Sequence, residues 1–257
     1  MTPPVRILVS NDDGIASEGL AALAAAMAPL GEVWVVAPDR EQSASSHAIS
    51  LNRPLRLHSV KERWYSVDGT PTDCSYLGIH HLLKDQAPAL MVSGINHGAN
   101  LADDVSYSGT VAAAMEASLL GVPAIAFSLV ARKTFDFQPA ARFARALARA
   151  VLAGPRPQRL LLNVNIPGPG EPKGFALTRL GKHSYGNKVV ESVDPRGRKY
   201  YWIGGSEYQH QSIAGSDCNA VIDDRLISVT PLHLDLTDNG TLQQLKRLEL
   251  DDFPRVD

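Results

Sequence analysis

The chain has 257 residues and a formal net charge of −2, with 44% hydrophobic and 20% charged residues. These values are typical of a globular domain with a large core, and the charge balance gives no electrostatic basis for binding nucleic acid or an anionic membrane surface. No stretch reaches the roughly 18 consecutive apolar residues of a membrane span. Because a predicted strand begins almost at once, no signal peptide is expected either.

The two cysteines lie far apart, at Cys74 and Cys218, in unlike contexts and without zinc-type spacing. They favour reduced thiols and a cytoplasmic protein, although a single disulfide stays open at this point.

Short apolar runs alternate with helical patterns along the first two thirds of the chain. The predicted strands, which are rich in β-branched residues, lie at 5–9, 32–37, 89–92, 124–127, 160–164 and 226–230. The predicted helices lie at 19–27, 72–83, 109–120, 139–152 and 241–248. This alternation predicts an α/β fold, a three-layer, doubly wound, Rossmann-like and mostly parallel sheet with helices on both faces.

The character of the chain changes after the Pro-Gly-Pro-Gly sequence at 167–170. From about 169 to 217 it is richer in Gly, Tyr, Lys and Arg, with short alternating pieces such as 199–203. This pattern favours an antiparallel arm or hairpin extension over another βαβ unit. We therefore predict one domain over 1–257, with a core of about 1–168 and 218–257 and a protruding arm of about 169–217.

Two adjacent carboxylates, Asp12 and Asp13, follow the first predicted strand directly. In a parallel α/β sheet the carboxyl ends of the strands border the crevice in which ligands bind. Neighbouring negative charges repel each other and must lose water there, so they persist most easily when a cation lies between them. Either aspartate alone could instead brace a turn.

Three further polar clusters, at 38–47, 93–100 and 107–110, follow predicted strands or open a predicted helix. Topology allows these loops to converge at one sheet edge, and their oxygen-rich chemistry suits Mg²⁺ or Mn²⁺ better than zinc. Ser108, Gly109 and Thr110 offer hydroxyls and free N–H groups at a helix start, where phosphate binds well, and Arg40 could add a bidentate contact.

Taken singly, the members of these clusters have simpler interpretations. Ser108 could be only a helix cap, Asn96 a turn former, and His47 and His97 hydrogen-bonding loop residues. The serines at 43–46 could belong to a solvated loop, and the aromatic residues at 200–202 could serve packing or an interface. As a set on one sheet edge, the polar residues favour a ligand site.

Several motifs, taken in order, carry a family resemblance over nearly the whole chain. They lie at 7–15 (Ile-Leu-Val-Ser-Asn-Asp-Asp-Gly-Ile), 36–40, 43, 69–74, 92–96, 98–101 and 103–116, with weaker matches at 163–167, 201–204, 228–232 and 235–237. In these motifs the chain resembles the SurE family, the survival-protein phosphatases that act on nucleoside monophosphates. The resemblance implies a Rossmann-type core with a C-terminal arm, and a homodimer or homotetramer formed by exchange of C-terminal elements.

The resemblance also implies a site. The metal ligands would be Asp12, Asp13, Ser43 and Asn96, holding one divalent cation per subunit, Mg²⁺ or Mn²⁺. We predict catalytic roles for Asp12, Asp13, Asn96 and Ser108. We predict that the substrate phosphate is bound by Asn11, Arg40, Ser108, Gly109 and Thr110.

Three positions depart from the family pattern. Residues 41–44 are Glu-Gln-Ser-Ala, Ala102 replaces a common glycine, and residues 215–218 are Gly-Ser-Asp-Cys where an aromatic usually ends the motif. The first two could change loop shape or substrate preference without touching a proposed ligand, and the third is expected to touch only the arm.

The function predicted from these residues and the resemblance is a metal-dependent phosphomonoesterase, a 5'-nucleotidase that also tolerates 3'-nucleotides. We expect a metal-activated water to attack phosphorus in line, with Asp12 as a covalent nucleophile the competing route. A non-catalytic metal or nucleotide sensor stays open. A Rossmann-type oxidoreductase is disfavoured because the first strand-to-helix turn lacks G-x-G-x-x-G and carries acids.

Overall fold

The structure is a computed structural model that describes residues 4–246 and 248, except 132, 156, 158, 186–188 and 205–207. Its strands are β1 (Arg6–Ser10), β2 (Glu32–Pro38), β3 (Leu57–Lys61), β4 (Trp64–Val67), β5 (Leu90–His97), β6 (Ala124–Val130), β7 (Leu161–Pro167), β8 (Phe175–Leu177), β9 (His183–Tyr185), β10 (Val189–Val193), β11 (Lys199–Ile203), β12 (Tyr208–His210) and β13 (Ile227–Pro231). Its α-helices are α1 (Glu18–Met27), α2 (Pro71–Leu77), α3 (Gly109–Leu119), α4 (Gln138–Ala153) and α5 (Asn239–Leu245).

A nine-stranded sheet forms the centre of the molecule, in the order β3-β4-β2-β1-β5-β6-β7-β13-β8. Its pairs are parallel except β3 with β4 and β13 with β7, which are antiparallel. The doubly wound, mostly parallel α/β fold predicted from the strand–helix alternation is therefore confirmed.

Side chains of the central strands alternate between two apolar layers, as a strand buried on both faces requires. In β1, Ile7 and Val9 pack on the side of α1 and α4, whereas Leu8 packs on the side of α2 and α3. Leu20 and Leu23 of α1 are buried in the same apolar layer as Ile7 and Val9. This packing makes three layers and holds the strand ends, which carry the polar loops, rigidly in place.

The strands predicted from apolar runs all correspond to strands of the central sheet, but β3, β4 and β8 were not predicted. The predicted helix at 72–83 is α-helical only to Leu77 and continues as a π-helical turn, Gly78–Leu82. The last predicted helix, at 241–248, corresponds to α5 and extends onto residue 247, which lies outside the described residues.

Two antiparallel pairs, β9 with β12 and β10 with β11, form the predicted C-terminal extension. The arm was predicted to begin at about residue 169, whereas β8 pairs with β13 as the edge strand of the main sheet, so the chain leaves the sheet only after Leu177. The division of the chain into core and arm otherwise stays a prediction. No helix in the described ranges combines the length and the apolar character needed to span a membrane.

Candidate functional site

The site lies where the winding of the sheet reverses. β1 pairs with β2 on one side and with β5 on the other, so the connections from their carboxyl ends diverge and leave a crevice. Asp12 and Asp13 follow β1 directly, and Asn96 lies near the end of β5. The fold thus brings three of the predicted residues to the position at which such sheets bind ligands.

The loop after β1 is fixed by its own polar groups. The Asn11 side-chain amide donates to the Gly14 carbonyl (3.0 Å) and to Ser17 Oγ (2.7 Å), and Ser17 caps α1. Gly14 has φ +94°, and a Cβ there would lie 3.1 Å from the backbone carbon of Arg40. The aspartates therefore project from a tightly packed turn.

Asp12 is a buried carboxylate, 5% exposed. Burial raises its pKa to about 6, and neighbouring Asp13 acts in the same direction. The Thr110 hydroxyl donates a hydrogen bond to Asp12 Oδ1, which opposes the rise. The surroundings of Asp12 thus favour neutralisation of its carboxylate, either by a proton or by a cation.

Asn96 owes its position to a β-bulge. Ser93 of β5 pairs with Ala126 of β6, and Asn96 pairs with Ser128, so β5 has one residue more than β6 over this interval. A bulge of this kind re-aims the side chains that follow it. The Asn96 amide nitrogen donates to the Gly98 carbonyl (3.0 Å), which fixes the orientation of the amide.

Ser43 lies in the long connection between β2 and β3, and its hydroxyl donates to Glu41 Oε1 (2.6 Å). Ser46 fastens this connection to the turn before α3, because its N–H donates to the Tyr107 carbonyl (3.0 Å) and its hydroxyl to the Ser106 carbonyl (2.8 Å). The connection therefore lies against the same turn that begins α3.

The start of α3 packs directly on Asp12. Ser108 is the N-cap and accepts a hydrogen bond from the Val111 N–H (3.1 Å). A Cβ on Gly109 would lie 2.8 Å from both Asp12 Cβ and Ser45 Oγ, so only glycine allows this approach. The positive end of the α3 dipole is thereby brought against a carboxylate.

These elements border an open cavity of about 440 Å³. It is lined by Asp12, Asp13, Glu41, Ser43, Ala44, Asn96, His97, Gly98, Ala99, Asn100, Asp104, Tyr107 and Ser108. All four predicted metal ligands and Ser108 are in this lining.

The other predicted phosphate-binding residues lie beside the cavity and are not part of its lining. Asn11 is fully buried beneath the loop, and Thr110 is bound to Asp12. Gly109 packs on Asp12, and the Arg40 side chain is exposed, 4.0 Å from Asp39. Phosphate binding by these four residues stays a prediction.

Five polar or aromatic residues line the cavity without having been assigned a role from the sequence: Glu41, His97, Asn100, Asp104 and Tyr107. All belong to the motifs or polar clusters already noted, but nothing in the sequence showed which way each would face. Asn100 is held by a buried network in which its N–H donates to Asn165 Oδ1 and its amide nitrogen to Ser128 Oγ, both at 2.8 Å. The Asn-Val-Asn sequence on β7, with its alternating buried amides, was the available signal for this network.

Ala102, which departs from the family pattern, has φ +49°. This left-handed conformation is one that glycine adopts without strain, so the glycine expected from the resemblance would fit this position well. Asp217 was expected to concern only the arm. Its carboxylate, however, accepts hydrogen bonds from the N–H groups of Ala102 (2.9 Å) and Gly181 (2.7 Å), so it ties the base of the arm to the turn before α3.

The lining carries four carboxylates, Asp12, Asp13, Glu41 and Asp104, and none of the described residues in this lining is a lysine or an arginine. Within the described ranges no three His, Cys, Asp or Glu side chains are grouped so as to hold a metal ion. The available donor set is instead two carboxylates with a hydroxyl and an amide, which is the oxygen chemistry that Mg²⁺ and Mn²⁺ prefer.

Fold and site together define a class: a doubly wound α/β protein with an acidic, oxygen-rich cavity at the switch point of its sheet. The family model described as Survival protein SurE matches residues 7–187. The chain belongs to the SurE family.

Relatives and a solved structure agree with this assignment. A protein named 5'-nucleotidase SurE from Myxococcus xanthus (strain DK1622) is 70% identical over 252 residues, covering 98% of this chain and 96% of that protein. Another of the same name, from Anaeromyxobacter dehalogenans (strain 2CP-C), is 62% identical over 243 residues, covering 94% and 95%. The crystal structure of the SurE protein from Aquifex aeolicus superimposes with a TM-score of 0.83 at 40% identity, covering 94% of this chain and 98% of that one.

Proposed function

We propose that the protein is a metal-dependent phosphomonoesterase that hydrolyses nucleoside 5'-monophosphates, and also 3'-monophosphates, to nucleoside and phosphate. The observation that carries the proposal is the acidic cavity at the switch point, in which buried Asp12 and neighbouring Asp13 face no lining lysine or arginine. The carboxylates of this lining repel a phosphate dianion unless a cation neutralises them. The names of the relatives, 5'-nucleotidase SurE, support nucleotides as the substrate class.

Asp12, Asp13, Ser43 and Asn96 would hold one Mg²⁺ or Mn²⁺ ion, the two aspartates through carboxylate oxygens and Asn96 through its amide oxygen. When bound, such an ion supplies Lewis acidity toward the phosphate oxygens and toward water. The residues fit this task because their oxygens converge on one cavity and because burial makes ionised Asp12 unfavourable without a positive partner.

The start of α3 would bind the phosphate. Ser108 lines the cavity, and the first N–H group of the helix, at Gly109, has no partner in a preceding helical turn. The Thr110 N–H hydrogen-bonds to Asp12 and would have to leave that carboxylate to bind phosphate. Asn11 would act by fixing the loop that carries the aspartates, and Arg40 would have to turn inward from solvent to reach the phosphate.

Water, and not Asp12, is the proposed nucleophile. Asp12 Oδ1 accepts a hydrogen bond from the Thr110 hydroxyl. Because the Asp12 carboxylate would also be committed to the cation, it is a poor nucleophile toward phosphorus. Trapping a phosphoaspartate during turnover would show the covalent route instead.

The test is phosphate release from 5'-AMP and 3'-AMP by protein treated with a chelator, before and after Mg²⁺ or Mn²⁺ is restored. We expect release to stop on chelation and to resume with the metal. Binding of AMP without release would identify a sensor, and release unaffected by the chelator would contradict the metal dependence.

We further propose a cytoplasmic homodimer or homotetramer with exchanged C-terminal elements. Both cysteines are buried thiols, which suits a reducing compartment. The hairpin β10–β11 exposes large apolar side chains, including Trp202 (67%) and Ile203 (91%), and a second copy of the chain would cover them. The net charge of −2 supports no nucleic-acid partner.

A further inference from the structure

One oxygen of Asp13 receives two contacts from a single residue, His97. The backbone N–H of His97 donates to Asp13 Oδ2 at 3.3 Å, and His97 Nδ1 lies 3.1 Å from the same oxygen. Both residues line the cavity; the Asp13 side chain is 16% exposed and the His97 side chain 30% exposed, and His97 as a whole residue is exposed. His97 is neither one of the proposed metal ligands nor one of the proposed phosphate-binding residues.

The imidazole of His97 is itself held in place by two aromatic rings. The ring centroids of Phe135 and Phe137 both lie 4.9 Å from that of His97, with interplanar angles of 62° and 76°. Phe137 is 7% exposed and belongs to the core layer that contains α1 and α4. Both phenylalanines belong to the connection between β6 and α4, and the half-buried Phe135 also packs against that core layer. The imidazole is therefore held by two rings that are anchored in the core.

We propose that His97 is a positioning residue for Asp13: its Nδ1–H and its backbone N–H fix Oδ2, and Oδ1 is left for the divalent cation. This inference rests on the proposed function, because it assigns His97 a task only if a cation binds there. Hydrogen-bonded partners that orient a metal-ligating side chain commonly account for a 10–100-fold change in metal affinity. The neutral imidazole with its proton on Nδ1 suffices for this role.

If His97 had only a structural role, its removal would have a different effect. In that case its removal would lower the stability of the protein and leave the intrinsic affinity for the ion unchanged. The packing of the imidazole favours the positioning role, because a group fixed on one side by Phe135 and Phe137 limits the rotation of the carboxylate that it contacts on the other.

The experiment measures binding of Mn²⁺ alone, by calorimetry or by electron paramagnetic resonance, to full-length protein without substrate. The variants are His97→Ala, His97→Asn, in which the amide N–H stands where Nδ1–H does, and Phe135→Leu. His58→Ala is the control, since His58 is exposed on β3, away from the cavity. The melting temperature of each variant is recorded in the presence of a chelator.

We expect His97→Ala to bind Mn²⁺ about 10–100-fold more weakly, with a melting temperature close to that of the unchanged protein. His97→Asn should recover most of the affinity, Phe135→Leu should be intermediate, and His58→Ala should be unchanged. Unaltered Mn²⁺ affinity in His97→Ala overturns the proposal, as does equal weakening in His97→Ala and His97→Asn with a matching loss of stability. If the unchanged protein binds no Mn²⁺, the proposed function fails together with this inference. If the unchanged protein binds Mn²⁺ and His97→Ala binds it equally well, only this inference fails.

Discussion

At the scale of single residues, the state of Asp12 decides how the site behaves. Its pKa is raised from 3.8 to about 6, chiefly by burial, so the folded protein holds a proton there more tightly than the unfolded chain does. Between pH 4 and 6 the folded state consequently binds more protons, and stability of the metal-free protein falls as pH rises. Above pH 6 the metal-free protein carries the full free-energy cost of burying ionised Asp12, which is at most about 3 kcal/mol. A cation in the site would offset that cost.

Asp12→Asn should therefore have opposite effects with and without metal. In a chelator at pH 7.5 the variant is expected to be more stable than the unchanged protein, by up to about 3 kcal/mol, because a neutral amide replaces a buried charge and still accepts from Thr110. With saturating Mn²⁺ the unchanged protein should gain stability and the variant should not, and the variant should lose most of its activity. Melting curves under both conditions measure this.

The same melting curves at pH 4 provide the control, because there the difference between the metal-free proteins should vanish as Asp12 becomes protonated. A variant that is less stable than the unchanged protein in chelator, or one that keeps normal turnover, would contradict the role assigned to Asp12.

Gly109 is the second residue with a sharp expectation. Gly109→Ala places a methyl group 2.8 Å from Asp12 Cβ, so either α3 or the aspartate must move. We expect a loss of about 1–3 kcal/mol in stability and a fall of roughly 100-fold in kcat/KM, the penalty of a displacement near 1 Å. Denaturant titration and initial-rate kinetics measure the two effects.

Gly204→Ala is the matched control for that substitution, since a Cβ there meets nothing within 4 Å. Near-normal activity in Gly109→Ala would show that the start of α3 does not need to approach Asp12.

What the sequence revealed at this scale depended on the type of residue. The pairing of Asp12 with Asp13 after an apolar strand was visible directly, because adjacent like charges at a strand end are costly unless a cation lies beside them. Glu41 and Asp104 were not foreseen, because their place in the lining depends on the path of two loops. Nothing in local sequence patterns determines such a path.

At the scale of elements, the connection between β2 and β3 is held against α2 and α3. His47 Nε2 lies 2.8 Å from Glu116 Oε2, and Glu116 is largely buried in the middle of α3. The Thr70 hydroxyl at the N-cap of α2 donates to the Ala48 carbonyl (2.7 Å). Ser43 thus lies on a segment that is fastened at several points.

Removing the Glu116 contact should loosen that segment. Glu116→Ala is expected to lower stability by about 1–3 kcal/mol, because a largely buried hydrogen bond is lost, and to accelerate amide exchange at 41–47. Glu116→Gln, which still offers an oxygen to His47, should retain most of the stability and most of the protection from amide exchange. Hydrogen exchange and urea unfolding measure the effects, and equal exchange rates in the unchanged protein and Glu116→Ala would refute this anchoring.

The bulge in β5 marks the point at which the prediction of this strand from the sequence ended. The apolar pattern predicted a strand at 89–92, whereas the strand continues to His97 after the bulge. Gly94, where a Cβ would lie 2.2 Å from the Phe127 carbonyl oxygen, was the one local sign, because glycine within a strand often marks a bulge. The polar residues beyond it suggested a loop, since their hydrogen bonding to β6 is a tertiary effect.

At the scale of the whole molecule, the hairpin β10–β11 departs from the packing of the core. Val190 pairs with Trp202 and Val189 with Ile203, so each face of the hairpin carries an exposed apolar pair. Exposed apolar clusters of this kind usually mark an interaction surface. The proposed exchange between subunits would bury them.

Trp202→Glu should consequently shift the protein toward a smaller species in light scattering coupled to size-exclusion chromatography. A charge introduced into a buried apolar contact lacks a partner and loses its hydration. Arg196→Glu, in the turn of the same hairpin, is the control and should leave the mass unchanged. An unaltered mass for Trp202→Glu would indicate that this hairpin does not form the interface.

The overall architecture followed from the sequence because its central strands are short, apolar and buried on both faces. β3 and β4 were missed since half-exposed strands at the sheet edge carry a mixed pattern, and β8 has only three residues. Their assignment depends on pairing with strands that are distant in sequence, which no local pattern encodes.

The most direct measurement of the central claim is a crystal structure of the protein grown with Mn²⁺, with anomalous scattering recorded near the manganese edge. The account predicts one anomalous peak per subunit, within bonding distance of carboxylate oxygens of both Asp12 and Asp13 and of side-chain oxygens of Ser43 and Asn96. A map at high Mn²⁺ concentration with no peak between the two aspartates would contradict it.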